Sequence, residues 1–183
     1  YEPFRLCALP ASERRGPKPS YPTHEILSIE RIAQALFATR ALDRAHCALW
    51  AGAGMGLSSG DLVQMGAGKI VRVGDTPVAV IQRAGRGHLV PVPREIMLVI
   101  DRAGWPLTST NAKGVQTMTG RALGPHLGTS IQELRRWHQQ TAISLGHDPE
   151  ARTDYKDRLK WSTHPSVTVC AVLREKLLDL SKR

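Results

Sequence analysis

The sequence predicts an α+β fold, a mostly helical single domain with a small three-stranded antiparallel sheet, over residues 24–183. Three observations support this class. Apolar residues recur at three- and four-residue steps in several segments, above all in residues 128–146, which is typical of helices with one buried face. β-branched runs separated by short turns are confined to residues 69–93. The 183 residues are 42% hydrophobic and 5% aromatic, so we expect one domain with an aliphatic core.

Residues 1–23 are predicted to form an extended arm or linker. They carry five of the 12 prolines and the basic residues Arg14, Arg15 and Lys18. Proline-rich segments favour extended structure over helix. The three cations suit contact with a phosphate backbone, and a plain interdomain linker explains the same composition.

Two helices are predicted at the start of the domain, the first from about Ser28 to Thr39 and the second from about Asp43. The second runs into the sequence AGAGMG at residues 51–56. Alternating glycines of this kind occur in dinucleotide-binding loops, but such a loop follows a strand, and here the preceding segment is predicted to be helical. Close packing of the helix against a neighbour is the favoured use of these glycines.

Residues 56–60, GLSSG, match the GxSxG pattern that presents a nucleophilic serine in many hydrolases. In that interpretation Ser58 is the nucleophile of a small serine hydrolase, with a distant histidine such as His126 or His164 as its base. The pattern requires a strand before the serine, and none is predicted. The alternative is that Ser58 or Ser59 caps a helix with Asp61 in its first turn, where a carboxylate is favourable.

Residues 69–93 are predicted to form a three-stranded antiparallel meander with GDTP and AGRG turns. The second turn presents Arg83 and Arg86 on a glycine-rich loop. Such a loop suits contact with a phosphate group, and an ordinary exposed hairpin tip would carry the same residues. The strands are placed at Ile70–Val73, Val78–Gln82 and His88–Val92.

The remainder of the domain is predicted to be helical with polar connections. A helix follows Pro93 and ends at Gly104, and a short helix lies near Ala112–Ala122. Residues 147–161 are polar and charged, which predicts a loop with helical pieces. A last helix is predicted in residues 171–183, with Leu173, Leu177, Leu178 and Leu180 apolar and Arg174, Lys176, Lys182 and Arg183 exposed.

The most regular helix is predicted within residues 128–146, GTSIQELRRWHQQTAISLG. Ser130 and Glu133 have the spacing of a capping box, and the final glycine is a natural helix stop. Arg135 and Arg136 lie mid-helix, so one of them must approach the buried stripe. A guanidinium group there either reaches over the core to solvent or meets an anion. The stripe consists of Ile131, Leu134, His138, Ala142 and Leu145.

The charge balance favours a polyanionic partner. The chain has 25 lysines and arginines against 16 aspartates and glutamates, a net charge of +9, which favours nucleic acid over a membrane surface. No apolar run is long enough to span a bilayer. The three cysteines, Cys7, Cys47 and Cys170, are odd in number and far apart, which predicts free thiols in a reducing cytoplasm. No Cys or His spacing indicates a metal, and no cofactor is expected.

Four short segments carry a family resemblance through their order and spacing. They are GLSSGDL at 56–62, RAGRGHLVPVP at 83–93, QELRRWHQQTA at 132–142 and LKWST at 159–163. In this order they are similar to the Gly-Leu-Arg-x-x-Glu-Leu box, the β-hairpin ending in Val-Pro-Leu, the His-x-Leu-Arg-His box and the Leu-Gly-His box of tyrosine recombinases. The chain therefore resembles the catalytic domain of this family, the phage integrases, over about residues 24–180.

The resemblance implies a particular chemistry. In the family, two arginines, a lysine and His or Trp donors hold one scissile DNA phosphate and stabilise its transition state. A tyrosine attacks the phosphorus and forms a covalent 3′-phosphotyrosine. Carried over by position, the catalytic residues are Arg83, Arg135, Trp161 and Cys170. The predicted DNA-binding residues include the cations of the N-terminal arm and are Arg14, Arg15, Lys18, Arg83, Arg86, Arg135, Arg136 and Lys160.

The same comparison implies that the site is incomplete. Ser58 stands at the position of the first arginine, and Arg83 stands at the hairpin lysine, where a guanidinium keeps the charge but is a poor proton donor. The usual spacing from Trp161 to the tyrosine leads to Cys170, whereas Tyr155 precedes Trp161. A cysteine between valines is also well explained as a buried residue. Asp61 stands where the family has a glutamate, and Gln132 and Arg136 stand where it has the two histidines of the His-x-Leu-Arg-His box. Arg86 is the alternative to Arg83 at the position of the hairpin lysine.

We therefore predict a protein that binds double-stranded DNA without cutting it, as an accessory or regulatory factor or as a relic of a mobile element. A second copy of the chain or a related recombinase is a further predicted partner. Two alternatives keep an activity: an active recombinase with Cys170 or Tyr155 as nucleophile, and the serine hydrolase that uses Ser58. A fourth interpretation is an interaction module whose helices dock a protein partner.

Overall fold

The computed structural model describes residues 27–66, 68–148 and 158–182. Over these residues the chain forms helices and one small antiparallel sheet, which confirms the predicted α+β class. The arm predicted over residues 1–23 lies outside the described residues, as does Tyr155. In chain order the elements are α1 (Ile29–Ala38), α2 (Asp43–Leu49), a π-helical segment (Trp50–Gly54), α3 (Ser59–Gly66), β1 (Ile70–Val73), β2 (Thr76–Arg83), β3 (Arg86–Pro91), α4 (Arg94–Ala103), α5 (Ala112–Leu127), α6 (Ile131–Ser144), a 3₁₀ segment (Arg158–Thr163) and α7 (Pro165–Ser181).

Helix α2 and the π-helical segment form one continuous rod, which we call the central rod. Together with α1 it confirms the two helices predicted at the start of the domain. Every residue from Cys47 to Leu57 is buried, so the rod and the residues just after it lie at the centre of the core. Helices α1, α4, α5, α6 and α7 pack around it. Among the described residues, no helix has both the length and the hydropathy that a membrane span needs.

The glycines at the end of the central rod allow close packing. A Cβ atom at Gly52 would lie 2.8 Å from Ile131 Cδ1 and from Leu134 Cβ, and one at Gly54 would lie 2.8 Å from Cys170 Sγ. Real side chains do not make contacts this short, so α6 and α7 approach the rod closely only because these positions are glycine. This confirms helix packing as the use of the glycines, and the GLSSG sequence follows a π-helical segment rather than a strand.

The sheet is the predicted meander, with strand order β1-β2-β3 and antiparallel pairing throughout. The second turn is shorter than predicted, because Arg83 and Arg86 are paired residues at the ends of β2 and β3 rather than members of a loop. The turn consists of Ala84 and Gly85 alone, with φ of 49° and 73°. Two successive positive φ values form the tight turn that matches the twist of the strands. Strand pairing therefore fixes the backbone of both arginines.

Helix α5 is longer than predicted and continues past Ala122 to Leu127. It includes Pro125 in its last turn, where the missing N–H removes one hydrogen bond. Burial of Leu123 and Leu127 extends the apolar stripe beyond the predicted end and outweighs this loss. Gly128 then ends the helix with a left-handed φ of 60°.

Helix α6 has the predicted capping box. Ser130 Oγ accepts a hydrogen bond from the N–H of Glu133 at 3.4 Å, and the Glu133 carboxylate accepts one from the N–H of Ser130 at 3.2 Å. The predicted apolar stripe is buried except for Leu145, which is 44% exposed. The helix ends at Ser144 and Gly146 follows with a φ of 87°, so Leu145 leaves the buried face.

Helix α7 begins at Pro165, earlier than predicted, with the proline in its first turn. Leu173 is buried, but Leu178 is 61% exposed, contrary to the prediction. Five residues carry Leu178 about 140° around the helix from Leu173, so the two cannot share one face. Arg174, predicted to be exposed, is half-buried and donates to both carboxylate oxygens of Glu95 at 2.7 and 2.8 Å. This ion pair joins α4 to α7.

Candidate functional site

A cleft of about 340 Å³ opens where the end of the central rod, the β2–β3 hairpin, α6 and the start of α7 meet. Met55 and Gly56, which follow the rod, line it. Gly56 has a positive φ of 65°, and a Cβ atom there would overlap the ring of His138. The ionisable residues that line the cleft are two arginines, four histidines and one aspartate, namely Arg83, Arg135, His88, His138, His147, His164 and Asp148.

Arg83, at the end of β2, is held in place by Asp61 on α3. Its Nε donates to Oδ1 at 3.1 Å and its Nη2 donates to Oδ2 at 2.7 Å, so the pair has two parallel hydrogen bonds. Asp61 is 4% exposed, and its Oδ2 also accepts from the N–H of Ser58 at 2.8 Å. Burial by itself would raise the pKa of Asp61, but the hydrogen bonds outweigh burial and the pKa is lowered. Asp61 is therefore an anion at neutral pH and balances the charge of Arg83.

Ser58 is the cap of α3. Its hydroxyl accepts a hydrogen bond from the N–H of Asp61 at 3.2 Å, and the Asp61 carboxylate accepts one from the N–H of Ser58. This reciprocal pair confirms the predicted cap. The resemblance puts the first arginine of the family at this position, so the cleft lacks that cation. Of the two histidines considered as a hydrolase base, His164 has its Nδ1 2.7 Å from the hydroxyl of Ser166, and His126 does not line the cleft.

Arg135 is the arginine of α6 that approaches the core. It neighbours the buried Leu134, is half-buried itself and lines the cleft. Its Nε is buried and has no hydrogen-bond partner among the described residues. A buried N–H without an acceptor costs roughly 1–3 kcal/mol of stability. Arg136 is exposed and does not line the cleft.

Two of the cleft histidines are kept neutral by burial. His138 is 6% exposed, and its Nδ1 lies 2.9 Å from the carbonyl oxygen of Ala53. Burial lowers the pKa of His138 to about 4, and the positive charges of Arg83 and Arg135 are smaller causes of the same sign. Burial likewise lowers the pKa of His164 to about 4. Both imidazoles are therefore uncharged at neutral pH.

The other two histidines enter the cleft from β3 and from the end of α6. His88 pairs with Ile81 across the sheet, and the Nε2 of His147 lies 2.7 Å from Thr168 Oγ1 on α7. Within the part of the chain that the structure describes, no group of three or more His, Cys, Asp or Glu side chains is arranged to hold a metal ion. Besides the carboxylate of the exposed Asp148, the cleft offers a ligand guanidinium and imidazole groups, which are hydrogen-bond donors to oxyanions.

The other residues predicted for the site lie elsewhere. Trp161 is half-buried in the 3₁₀ segment and Arg86 is exposed at the start of β3, and neither lines the cleft. Cys170 is 2% exposed beside Gly54, and burial raises the pKa of its thiol to about 12. The alternative of a structural, buried cysteine is therefore observed. Arg14, Arg15, Lys18 and the side chain of Lys160 lie outside the described residues.

The grouping of the four histidines has no signal in the sequence, because they are scattered from β3 to the start of α7. One of them did carry a signal of its own. His138 lies on the apolar stripe of α6, and a polar side chain on a buried face needs a partner or a function.

The chain matches no known protein family, no curated protein and no solved structure. The resemblance to tyrosine recombinases therefore stays a prediction, which rests on the residues of the four segments and on the order of the elements.

Proposed function

We propose that this protein binds double-stranded DNA by holding one backbone phosphate in the cleft, on a domain organised like the catalytic domain of a tyrosine recombinase. The observation that carries the proposal is the meeting of Arg83 and Arg135 in one cleft from separate parts of the chain. Within the described residues Arg135 forms no ion pair, so its positive charge is available to a phosphate in the cleft. Guanidinium groups also match the geometry of phosphate oxygens.

The order of the elements supports the recombinase-like organisation. The GLSSGDL segment begins a helix, α3, and the meander that ends in VPVP follows it. The arginine of the QELRRWHQQTA segment lies on a later helix, α6. The resemblance requires the hairpin cation and this arginine to face one another, and Arg83 and Arg135 line the same cleft. The net charge of +9 fits a protein whose affinity for DNA comes mainly from phosphate contacts.

The proposal includes the absence of strand cleavage. Ser58 supplies no charge where the family has an arginine, and Arg83 is already paired with Asp61. The loss of an arginine that contacts a transferring phosphoryl group costs several kcal/mol of barrier. The thiol of Cys170 is buried and has a pKa of about 12, so it is not a thiolate at neutral pH.

A protein of this kind would act on DNA as an accessory or regulatory factor, or persist as a relic of a mobile element. A related recombinase is the further partner we propose, because its tyrosine would supply the missing nucleophile in trans. The cleft and its two arginines would then position the DNA for the partner. A second copy of the chain is a further proposed partner on the same duplex, which two such copies would bind without cutting.

Two assays test the proposal. The first is fluorescence anisotropy of a labelled duplex of about 30 bp, which gives the observed binding constant Kobs at several salt concentrations. The logarithm of Kobs should fall with the logarithm of the salt concentration with a slope of about −3 or steeper, and a flat dependence would contradict DNA binding. Incubation with a nicked duplex followed by a denaturing gel should give no covalent protein–DNA band. A band that disappears in Tyr155→Phe or Cys170→Ala would instead identify an active recombinase.

A further inference from the structure

A second groove, of about 580 Å³, lies between the start of α2 and helix α5. We call it the α2–α5 groove. Three basic residues line it, Arg44 from α2 and Lys113 and Arg121 from α5, and the other lining residues are uncharged. All three are exposed, and within the described part of the chain none of them forms an ion pair. The groove therefore carries more uncompensated positive charge than the cleft, where Asp61 balances Arg83.

The acidic residue next to the groove in sequence does not neutralise it. Asp43 precedes Arg44, but its carboxylate forms an ion pair with Arg102 on α4. Within residues 27–66, 68–148 and 158–182, no carboxylate pairs with Arg44, so its charge is available to a partner.

Two basic residues of α5 share one face of the helix. Lys113 and Arg121 lie eight residues apart with the uncharged Thr117 midway between them, and all three line the groove. The two cations are about 12 Å apart along the helix at 1.5 Å per residue. A DNA strand presents its phosphates at regular intervals, so two cations about 12 Å apart suit two phosphates of one strand. Cations spaced along a helix suit a repeating anion better than a single small one, for which the donors would have to converge.

We propose that the α2–α5 groove binds the phosphate backbone of the DNA duplex that also contacts the cleft. This inference rests on the proposed function. The central rod connects the two sites, because Arg44 lies in its first turn and Met55, a cleft residue, directly follows its end. The rod separates them by about 15 Å along its axis. The major groove of B-DNA is about 12 Å wide, a distance of the same order as this separation, so we place one of the two bordering backbones at each site.

The test removes the three groove charges together. The variant Arg44→Gln/Lys113→Gln/Arg121→Gln is compared with wild-type chain by duplex anisotropy over a series of salt concentrations. All three residues are exposed, so the fold should be kept, and circular dichroism and thermal unfolding verify this. We expect the slope of log Kobs against log salt to become shallower by about 2–3, as for the loss of three phosphate contacts.

A matched control removes the same charge elsewhere. Arg40→Gln/Arg94→Gln/Lys182→Gln changes three exposed residues that line neither site, and its slope should stay within about 1 of the wild-type value. If wild-type chain binds the duplex and the groove variant has the slope and affinity of the control, the groove inference is overturned and the proposed function stands. If wild-type chain does not bind duplex DNA at low salt, the proposed function fails and the inference fails with it.

Discussion

Arg83 and Asp61 form a two-hydrogen-bond ion pair that joins the β2–β3 hairpin to the start of α3. The side chain of Asp61 is 5% exposed and that of Arg83 is 36% exposed, so the carboxylate is buried while the guanidinium also lines the cleft. The pair fixes the position of Arg83. It also competes with any phosphate for the same guanidinium group.

Replacement of Asp61 should therefore change stability and DNA affinity in opposite directions. We expect Asp61→Asn to lower the free energy of unfolding by about 1–3 kcal/mol, less than for a fully buried pair because Arg83 is partly solvated. The pKa of Asp61 is lowered in the folded chain, so this contribution is present above about pH 4 and is lost as the pH falls further. Urea unfolding measures both effects.

Duplex affinity should rise about 3- to 10-fold in Asp61→Asn, because the freed guanidinium gains a phosphate contact. The control is Asp75→Asn, which removes the same charge from an exposed turn between β1 and β2. Equal affinities of the two folded variants would show that Arg83 does not contact DNA.

The half-buried His164 should make the protein less stable in acid. Burial lowers its pKa to about 4, below the ordinary value of about 6.5. Between these values the unfolded chain binds a proton that the folded chain does not, so stability falls as the pH drops through this window. His164 Nδ1 also caps α7 by accepting from the N–H of Ser166 at 3.1 Å.

Asparagine at this position can accept the same capping hydrogen bond but does not titrate. We expect His164→Asn to recover on the order of 1–3 kcal/mol of the stability lost between neutral pH and about pH 4.5, as measured by urea unfolding at the two pH values. A variant that loses as much stability in acid as wild-type chain would refute the assignment of a neutral imidazole at His164.

Two glycine substitutions test the packing around the central rod. Gly52→Ala should destabilise the fold by about 1–3 kcal/mol, because the added methyl group would meet Ile131 and Leu134 on α6. Gly120→Ala is the matched control inside α5, where a Cβ atom has no neighbour within 4 Å. That substitution should stabilise the helix by about 0.5–1 kcal/mol. In thermal unfolding, the melting temperature should fall for Gly52→Ala and rise for Gly120→Ala. A Gly52→Ala variant as stable as wild type would mean that α6 does not pack against Gly52.

The parts of the fold that the sequence predicted depend on local rules. The capping box of Ser130 and Glu133 and the apolar spacing after it define α6, and β-branched runs define the meander. The cap of α3 at Ser58 is likewise a three-residue pattern. Such features need no knowledge of distant contacts, so their bounds are close to those observed.

The parts that could not be predicted depend on contacts between distant residues. Packing against other helices lets α5 continue past Pro125 and makes the chain after α2 π-helical. The residues near these positions in the sequence do not indicate either effect. The pairing of Arg83 with Asp61 spans 22 positions. The resemblance brought Arg83 and Arg135 forward as site residues, but the histidines around them and the α2–α5 groove become visible only when the chain is folded.

The most direct measurement is the dissociation constant of the full chain and of Arg135→Gln for one labelled duplex. Arg94→Gln, which changes an exposed arginine on α4 outside the cleft, is the control. Arg135→Gln should bind about 10- to 100-fold more weakly, as for the loss of one charged hydrogen bond, with a salt slope shallower by about 1. Arg94→Gln should stay within about 3-fold of wild type. If Arg135→Gln binds the duplex as tightly as Arg94→Gln, the cleft does not hold a DNA phosphate.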